Sequence, residues 1–405
     1  IILYITNLYV TFSRTHRTKE WLRDQIISIL EFYHPDCLDV KNGGYIAQFD
    51  QQTGEIYDRE SKHLVATARF TVNFAAGKMI GGPDWCAPSA SKGVDSLLSV
   101  HRDEDQGGFY WLVKGTEPVE LKRICYGHAF VLLALSRVHE AGIREVADEI
   151  NDLYELIDDH FWESEYGLCK SEYDSAWDRV SNYRGQNANM HMCEAMIAAY
   201  EALGRDCFLE RAMTIAKSLV IDLAASTDGL IWEHYNSQWE QDFNYNRTDP
   251  THRFRPWGYQ PGHLIEWAKL LGTLFRHTDA EWTIARAREL FESAVDYGWD
   301  DEQGGLYYTF DRQGEPVVTD KRSWEIAEGI GAAAILNEQT GETRYLDWYD
   351  QFWSYAEANL INAKDRNWYS MVSETNVPNP RTSGIASEPD YHPIGACFEG
   401  LQSLH

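Results

Sequence analysis

Basic residues are scarce in this chain. Only 36 Lys and Arg stand against 63 Asp and Glu, a formal charge of -27. A surface of that sign repels phosphate backbones and anionic lipid, which argues against nucleic-acid and membrane partners. An anionic substrate would need a local island of arginine. Cysteine is present but unorganised: Cys37, Cys86, Cys125, Cys169, Cys193, Cys207 and Cys397 are odd in number and form no C-x-x-C. That argues against a disulfide framework or a zinc site and fits a reducing cytoplasm. Neither H-x-x-x-H nor H-x-H occurs among the 14 histidines, so no metal and no other cofactor is expected. The apolar opening "IILYITNLYVTF", about 12 residues, is too short to span a bilayer. It has no basic stretch before it and no A-x-A-like site after it. Residues 1–14 are therefore read as an N-terminal extension outside the fold. No Pro/Gly/Ser linker interrupts the rest, and no Gly-rich turn is followed by Lys-Ser/Thr as in a phosphate-cradling loop.

Aromatic residues, by contrast, are plentiful. Fifteen Trp and 23 Tyr accompany a hydrophobic fraction of 44%, enough for a large core. The same rings would suit a pocket for sugars, whose C–H faces stack on aromatics. Composition alone favours the core.

The sequence repeats itself. "DEDQGGFYWLVKGTEPVELKR" from Asp103 returns as "DEQGGLYYTFDRQGEPVVTDKR" from Asp301. A third version, "NGGYIAQFDQQTGEIYDRESKH", starts at Asn42, and fainter ones start at Glu165, Thr227 and Asp365. The six turns are spaced by 59 to 76 residues. Each unit opens with a Gly-type turn and a short hairpin. A helix apolar nearly all round follows, such as "GHAFVLLALSRVH" or "WEIAEGIGAAAIL". An amphipathic helix comes next, such as "EWTIARARELFESAVDYGW". Helices apolar all round are buried, and those with one polar face lie outside. Six of each, alternating, predict an all-α (α/α)6 barrel with short β-hairpins at the active-site end. Repeats need their neighbours to bury their faces, so residues 15–405 are expected to form one catalytic domain.

The turns also act as a ruler. Counting 20 to 34 residues on from each gives Arg69, His128, His191, His263, the Trp324–Glu325 pair and His392. Six equivalent helix starts with an ionisable or aromatic group are hard to reconcile with six independent core positions. Each histidine taken singly could be an ordinary packing residue, and His128 in "YGHAF" is the plainest such case, though its place in the repeat keeps it as a candidate substrate contact. His191 has Asn187 one turn earlier on its helix face. His263 follows a Pro-Gly helix start and has Glu266 at i+3, where a carboxylate could orient the ring. His392 sits before a proline at the start of the last inner helix. Arg253, ten residues before His263, and Arg69 are candidates to hold a developing oxyanion. Histidines with arginine nearby suit proton transfer at carbon next to a carbonyl. A carboxylate pair drawn from Glu194, Glu266, Glu325 and Glu328 would instead suit glycoside hydrolysis.

At "TARFTVNFA", "NANMHMCEA", "PGHLIEWAKLL", "SWEIAEGIGAA" and "DYHPIGACFE" the chain resembles the N-acylglucosamine 2-epimerase superfamily. Its motifs are nearest the mannose isomerase and sulfoquinovose isomerase branch. The resemblance implies an (α/α)6 barrel and metal-free proton transfer at sugar C1 and C2. It assigns acid/base work chiefly to His263 and His392, with His191 assisting in ring opening. It gives substrate contacts to Arg69, Asn187, Glu266, Trp324 and Glu328. Arg253 fits the isomerase side.

The reaction this implies is reversible aldose–ketose isomerisation, D-mannose to D-fructose first, on a monosaccharide bound by a cytoplasmic monomer or homodimer. A sugar 2-epimerase is the alternative outcome of the same chemistry. A non-catalytic sugar- or protein-binding barrel is the alternative of another class.

Overall fold

Each of the three strongest repeats turns on a glycine pair with positive φ: Gly43–Gly44 at 77° and 72°, Gly107–Gly108 at 75° and 75°, Gly304–Gly305 at 72° and 83°. Side chains rarely adopt this conformation. Space is closed as well, since a Cβ on Gly108 would lie 2.9 Å from His128 Nε2. The computed structural model describes residues 15–252 and 254–404. The extension 1–14 and the candidate Arg253 lie outside the described residues.

Twelve α-helices occur among the described residues. After α1 (Lys19–Tyr33), buried and half-exposed helices alternate: α2 (Leu64–Met79) and α3 (Cys86–Ser96), α4 (Cys125–Glu140) and α5 (Ala147–His160), α6 (Gln186–Leu203) and α7 (Asp206–Lys217). Then come α8 (Pro261–Thr278) and α9 (Glu281–Gly298), α10 (Ser323–Thr340) and α11 (Thr343–Asn359), and lastly α12 (Tyr391–Ser403). The sequence pattern explains the alternation. Helix α4 buries nearly every side chain, whereas α5 buries only Ile150, Leu153 and Ile157, one stripe at helical spacing. Left-handed glycines stop α6 at Gly204 (φ 64°) and α10 at Gly341 (φ 70°).

The chain divides into two compact units. One comprises Tyr33–Tyr259 and Thr382–Tyr391. In it α2 packs on α3, α4 on α5 and α6 on α7, while α4 also packs against α2 and α6. The other takes the described residues up to Phe32, Gln260–Arg381 and those from His392 on. There α8 packs on α9 and on α10, and α10 packs on α11. Helix α12 meets α1 where a Cβ on Gly400 would be 3.1 Å from Leu22. Each unit thus holds three of the six repeats.

Two devices recur in the repeats. The first is a strand pairing one repeat ahead. Ser61–His63, before α2, pairs antiparallel with Leu112–Lys114 of the next hairpin. Arg123–Ile124 pairs likewise with Glu172–Tyr173, Arg184–Gly185 with His234–Tyr235, and Lys321–Arg322 with Met371–Val372. The second is a buried ion pair. A basic residue two positions before the inner helix reaches back to an acid at its own Gly turn. Lys62 is 2.8 Å from Asp39, Arg184 holds Glu163 at 2.7 Å and Lys321 lies 2.8 Å from Asp300, while Arg123 pairs with Asp103. In three of these turns the acid's other oxygen accepts two backbone N–H groups, as Asp300 does from Glu302 and Gln303 at 3.0 Å. The repeated "GG … KR" grammar is therefore a turn and its anchor.

Candidate active site

Two clusters contain most of the residues singled out from the sequence, one in each unit.

In the unit built around α2, α4 and α6, Arg69 of α2 is the central group. It is 1% exposed. Its guanidinium donates to the Ser387 carbonyl and the Tyr126 hydroxyl at 3.2 Å each and pairs with the Glu388 carboxylate. The rings of Phe130 and Tyr391 lie against it, with centroids 4.4 and 5.1 Å from Cζ. Burial works against its charge, but Glu388 foremost, then Tyr126 and Tyr391, more than restore it. His191 of α6 is nearly as buried. Its Nδ1 lies 2.9 Å from Glu194 Oε2, one helical turn on, and Glu194 Oε1 accepts from the Tyr391 hydroxyl at 2.7 Å. The rings of Tyr126 and Phe130 flank it at 5.1 and 4.7 Å. Asn187 stands half-buried four residues earlier, on the same helix face.

In the unit built around α8, α10 and α12, Trp324 is shared by the two histidines. Its ring centroid is 5.1 Å from that of His263 and 5.8 Å from that of His392. Nδ1 of His392 lies 2.7 Å from Glu328 Oε1, and the Lys269 ammonium holds Glu328 Oε2 at 2.5 Å. Burial would raise the Glu328 pKa, but Lys269 and then His392 outweigh it, and the group sits below the usual carboxylate range. A carboxylate there can only accept, so it takes a hydrogen bond from His392 Nδ1–H and sets the orientation of the ring. Buried Glu266 completes the cluster: one atom each of Glu266, Glu328 and His392 lie within 4.8 Å of one another. Three such groups could chelate a cation, yet the position beside Glu328 is held by Lys269. Gly262 is what lets α8 approach α10, because a Cβ there would sit 2.5 Å from both Glu325 Cγ and the Trp324 ring. Glu325, fully buried, caps α10 at the Arg322 N–H, and burial pushes its pKa well above the usual range.

His128 does not join either cluster. Its Nδ1 faces the Ile124 carbonyl at 2.8 Å, and its Nε2 accepts from Phe109 N–H at 3.2 Å. Both ring nitrogens bond to backbone, one of them just after the Gly107–Gly108 turn. Burial lowers its pKa to about 4. These two bonds tie a hairpin to a helix start, and a contact of His128 with substrate stays an expectation. Arg253, outside the described residues, stays an expectation.

Sequence reasoning missed Lys269, Glu388, Tyr391 and Tyr126. Lys269 stands at i+3 from Glu266 and could have been found on helix spacing. The partnership of Glu388 with Arg69 spans 319 residues and left no local signal.

The geometry has close counterparts. The N-acylglucosamine 2-epimerase (GlcNAc 2-epimerase) family pattern matches residues 44–396. A D-mannose isomerase of Marinomonas mediterranea is 37% identical over 388 residues, covering 96% of this chain and 98% of that protein. A crystal structure of a D-mannose isomerase superposes with a TM-score of 0.92 at 37% identity, over 95% of this chain and 98% of the other. A cellobiose 2-epimerase structure from Spirochaeta thermophila gives 0.84 at 20% identity over 97% and 98%, which speaks for the fold alone. The fold is the (α/α)6 barrel type expected from the sequence.

Proposed function

Because the chain belongs to the N-acylglucosamine 2-epimerase family, whose members are carbohydrate isomerases and epimerases, we propose that it interconverts D-mannose and D-fructose. The observation that supports this most is the pair of imidazoles on Trp324, one of them oriented through Nδ1 by Glu328. Isomerisation needs a base that takes a proton from C2 and returns it to C1, and neutral imidazole does both near pH 7.

The proposed course starts with ring opening, in which His191, held by Glu194, moves the proton between the ring oxygen and O1. One of His263 and His392 removes the C2 proton. The electron pair forms the C1–C2 double bond while the C1 carbonyl oxygen takes up charge, giving a cis-enediolate. Arg69 is assigned to that charge, with Arg253 as a second candidate. The proton returns to C1, the O2 proton passes to O1 through the other histidine, and C2 becomes the ketone. Asn187, Glu266, Trp324 and Glu328 contact or orient the sugar and its bases. Lys269 supplies the positive charge at Glu328 that a metal would otherwise bring, so the chemistry is proposed to be metal-free.

The test is incubation with D-mannose in D2O, followed by NMR. Fructose carrying deuterium at C1 is expected. Glucose deuterated at C2 would instead identify a 2-epimerase, the reading favoured by the likeness to cellobiose 2-epimerases. Release of reducing ends from oligosaccharides would identify a hydrolase. No product from mannose, glucose, N-acetylmannosamine or cellobiose would leave a non-catalytic sugar-binding barrel. Turnover abolished by EDTA would overturn the metal-free course.

We further propose that residues 15–405 act as one catalytic domain in a reducing cytoplasm, as a monomer or homodimer without nucleic-acid partners. The seven free cysteines, six of them buried, support the compartment. No helix among the described residues is long and apolar enough to cross a membrane.

A further inference from the structure

Arg69 is the arginine assigned to the sugar, yet its charge is already answered. Glu388 stands on the segment just before α12, its side chain 34% exposed against 1% for Arg69. The carboxylate is thus the outward member of the pair. The Ser387 carbonyl, the Tyr126 hydroxyl and the rings of Phe130 and Tyr391, which also lie against the guanidinium, add no positive charge. The segment is itself fixed. Asn73, one turn along α2, donates to the Pro389 carbonyl at 2.7 Å, and Tyr33 donates to Asp390 at 2.8 Å. Glu388 is therefore held in place by its flanking residues and is not a loose surface acid. In the other cluster the buried cation, Lys269, is likewise cancelled by Glu328. The protein carries a net -27 besides.

We infer that Glu388 is a specificity-determining residue, which neutralises Arg69 and turns away sugars that carry phosphate or sulfonate. A neutral aldose offers hydroxyls that share the guanidinium with Glu388 or accept from it. A sugar phosphate or sulfonate brings a second anion to a cation already paired, and like charges at that spacing repel strongly where water is scarce. Removing the carboxylate would leave Arg69 an unanswered cation, the island of positive charge that an anionic substrate requires.

This inference rests on the sugar reading above, so its test has a part that does not. Binding of D-mannose, D-mannose 6-phosphate and inorganic sulfate is measured by calorimetry at low salt for the wild type, Glu388→Gln and Glu388→Ala, with folding checked by circular dichroism. Two results are expected in Glu388→Gln. The affinity for mannose 6-phosphate relative to mannose rises at least about tenfold, and sulfate binding strengthens in parallel. Added salt should erase both gains. An unchanged phosphate-to-neutral ratio, or sulfate bound no better than by the wild type, would overturn the assignment. If neither sugar binds any variant, the sugar reading fails, and the sulfate measurement still decides the role of Glu388. Should Glu388→Gln not fold, Glu388→Ala carries the same comparison.

Discussion

Nδ1 of His392 faces Glu328 Oε1 at 2.7 Å, and Lys269 closes the other side of the same carboxylate. The imidazole is thereby fixed in orientation. Glu328→Gln keeps an acceptor for Nδ1–H but removes the charge that stabilises an imidazolium. The variant should lose about 10²-fold or more in kcat with a much smaller change in KM. It also strands the Lys269 ammonium. Because the Glu328 pKa is depressed in the fold, its contribution to stability is complete above the ordinary carboxylate pKa of about 4.3 and is lost as pH falls through the lower folded value. Steady-state kinetics and acid melts of both proteins check this, and full kcat in folded Glu328→Gln would refute it.

Acid sensitivity should begin earlier, at a histidine. His128 falls from 6.5 to about 4 on folding, so between those values the unfolded chain binds the extra proton. Stability is intact above pH 6.5 and declines by about 3 kcal/mol toward pH 4. His128→Gln should flatten that part of the Tm–pH curve, lower Tm at neutral pH and leave turnover of the folded enzyme in place. Loss of turnover with Tm unchanged would return His128 to the substrate.

The anchors at the Gly turns are high-stakes contacts. Lys321 and Asp300 are buried, with side-chain exposures of 0% and 3%. Asp300→Asn leaves a buried ammonium and should cost about 3–5 kcal/mol. The double change Asp300→Leu, Lys321→Met removes both charges and should cost much less. Thermal melts of the single and double variants decide it: a double variant as unstable as Asp300→Asn would show that the stranded ammonium is not what costs stability.

Gly262→Ala tests the approach of α8 to α10. The added methyl meets Glu325 and Trp324 at 2.5 Å, and relief should cost about 1–3 kcal/mol of stability. Relief also shifts His263 against the Trp324 ring, so kcat should fall further than Tm alone would suggest. A variant with unchanged kcat and Tm would show that the contact is soft.

Much of this was legible in the sequence. Apolar runs such as "GHAFVLLALSRVH" placed the inner helices, because a helix buried all round has no polar stripe to hide. Glycine pairs located the turns, because positive φ is so rarely open to other residues. Counting from those turns found His191, His263 and His392, since a repeat fixes position along the helix. Rotation about the helix is not fixed by counting. His128 begins its helix as the others do, yet its ring bonds back to the hairpin. Ion pairs also escaped: "KR" before α10 and "LKR" before α4 look alike, but the first basic residue turns inward in one and the second in the other. Glu388 was invisible because its partner is 319 residues away.

The ion-paired turn is present before α2, α4, α6 and α10. It is missing before α8 and α12, where Tyr259 and Pro389 occupy the basic position and Asn362 replaces the acid of the last repeat. Those two helices bring His263 and His392. In mechanical terms, four of these helix starts are riveted and two are not. The two without a rivet carry the histidines proposed to move the proton, and amide exchange at the first turns of α8 and α12 should be the faster for it.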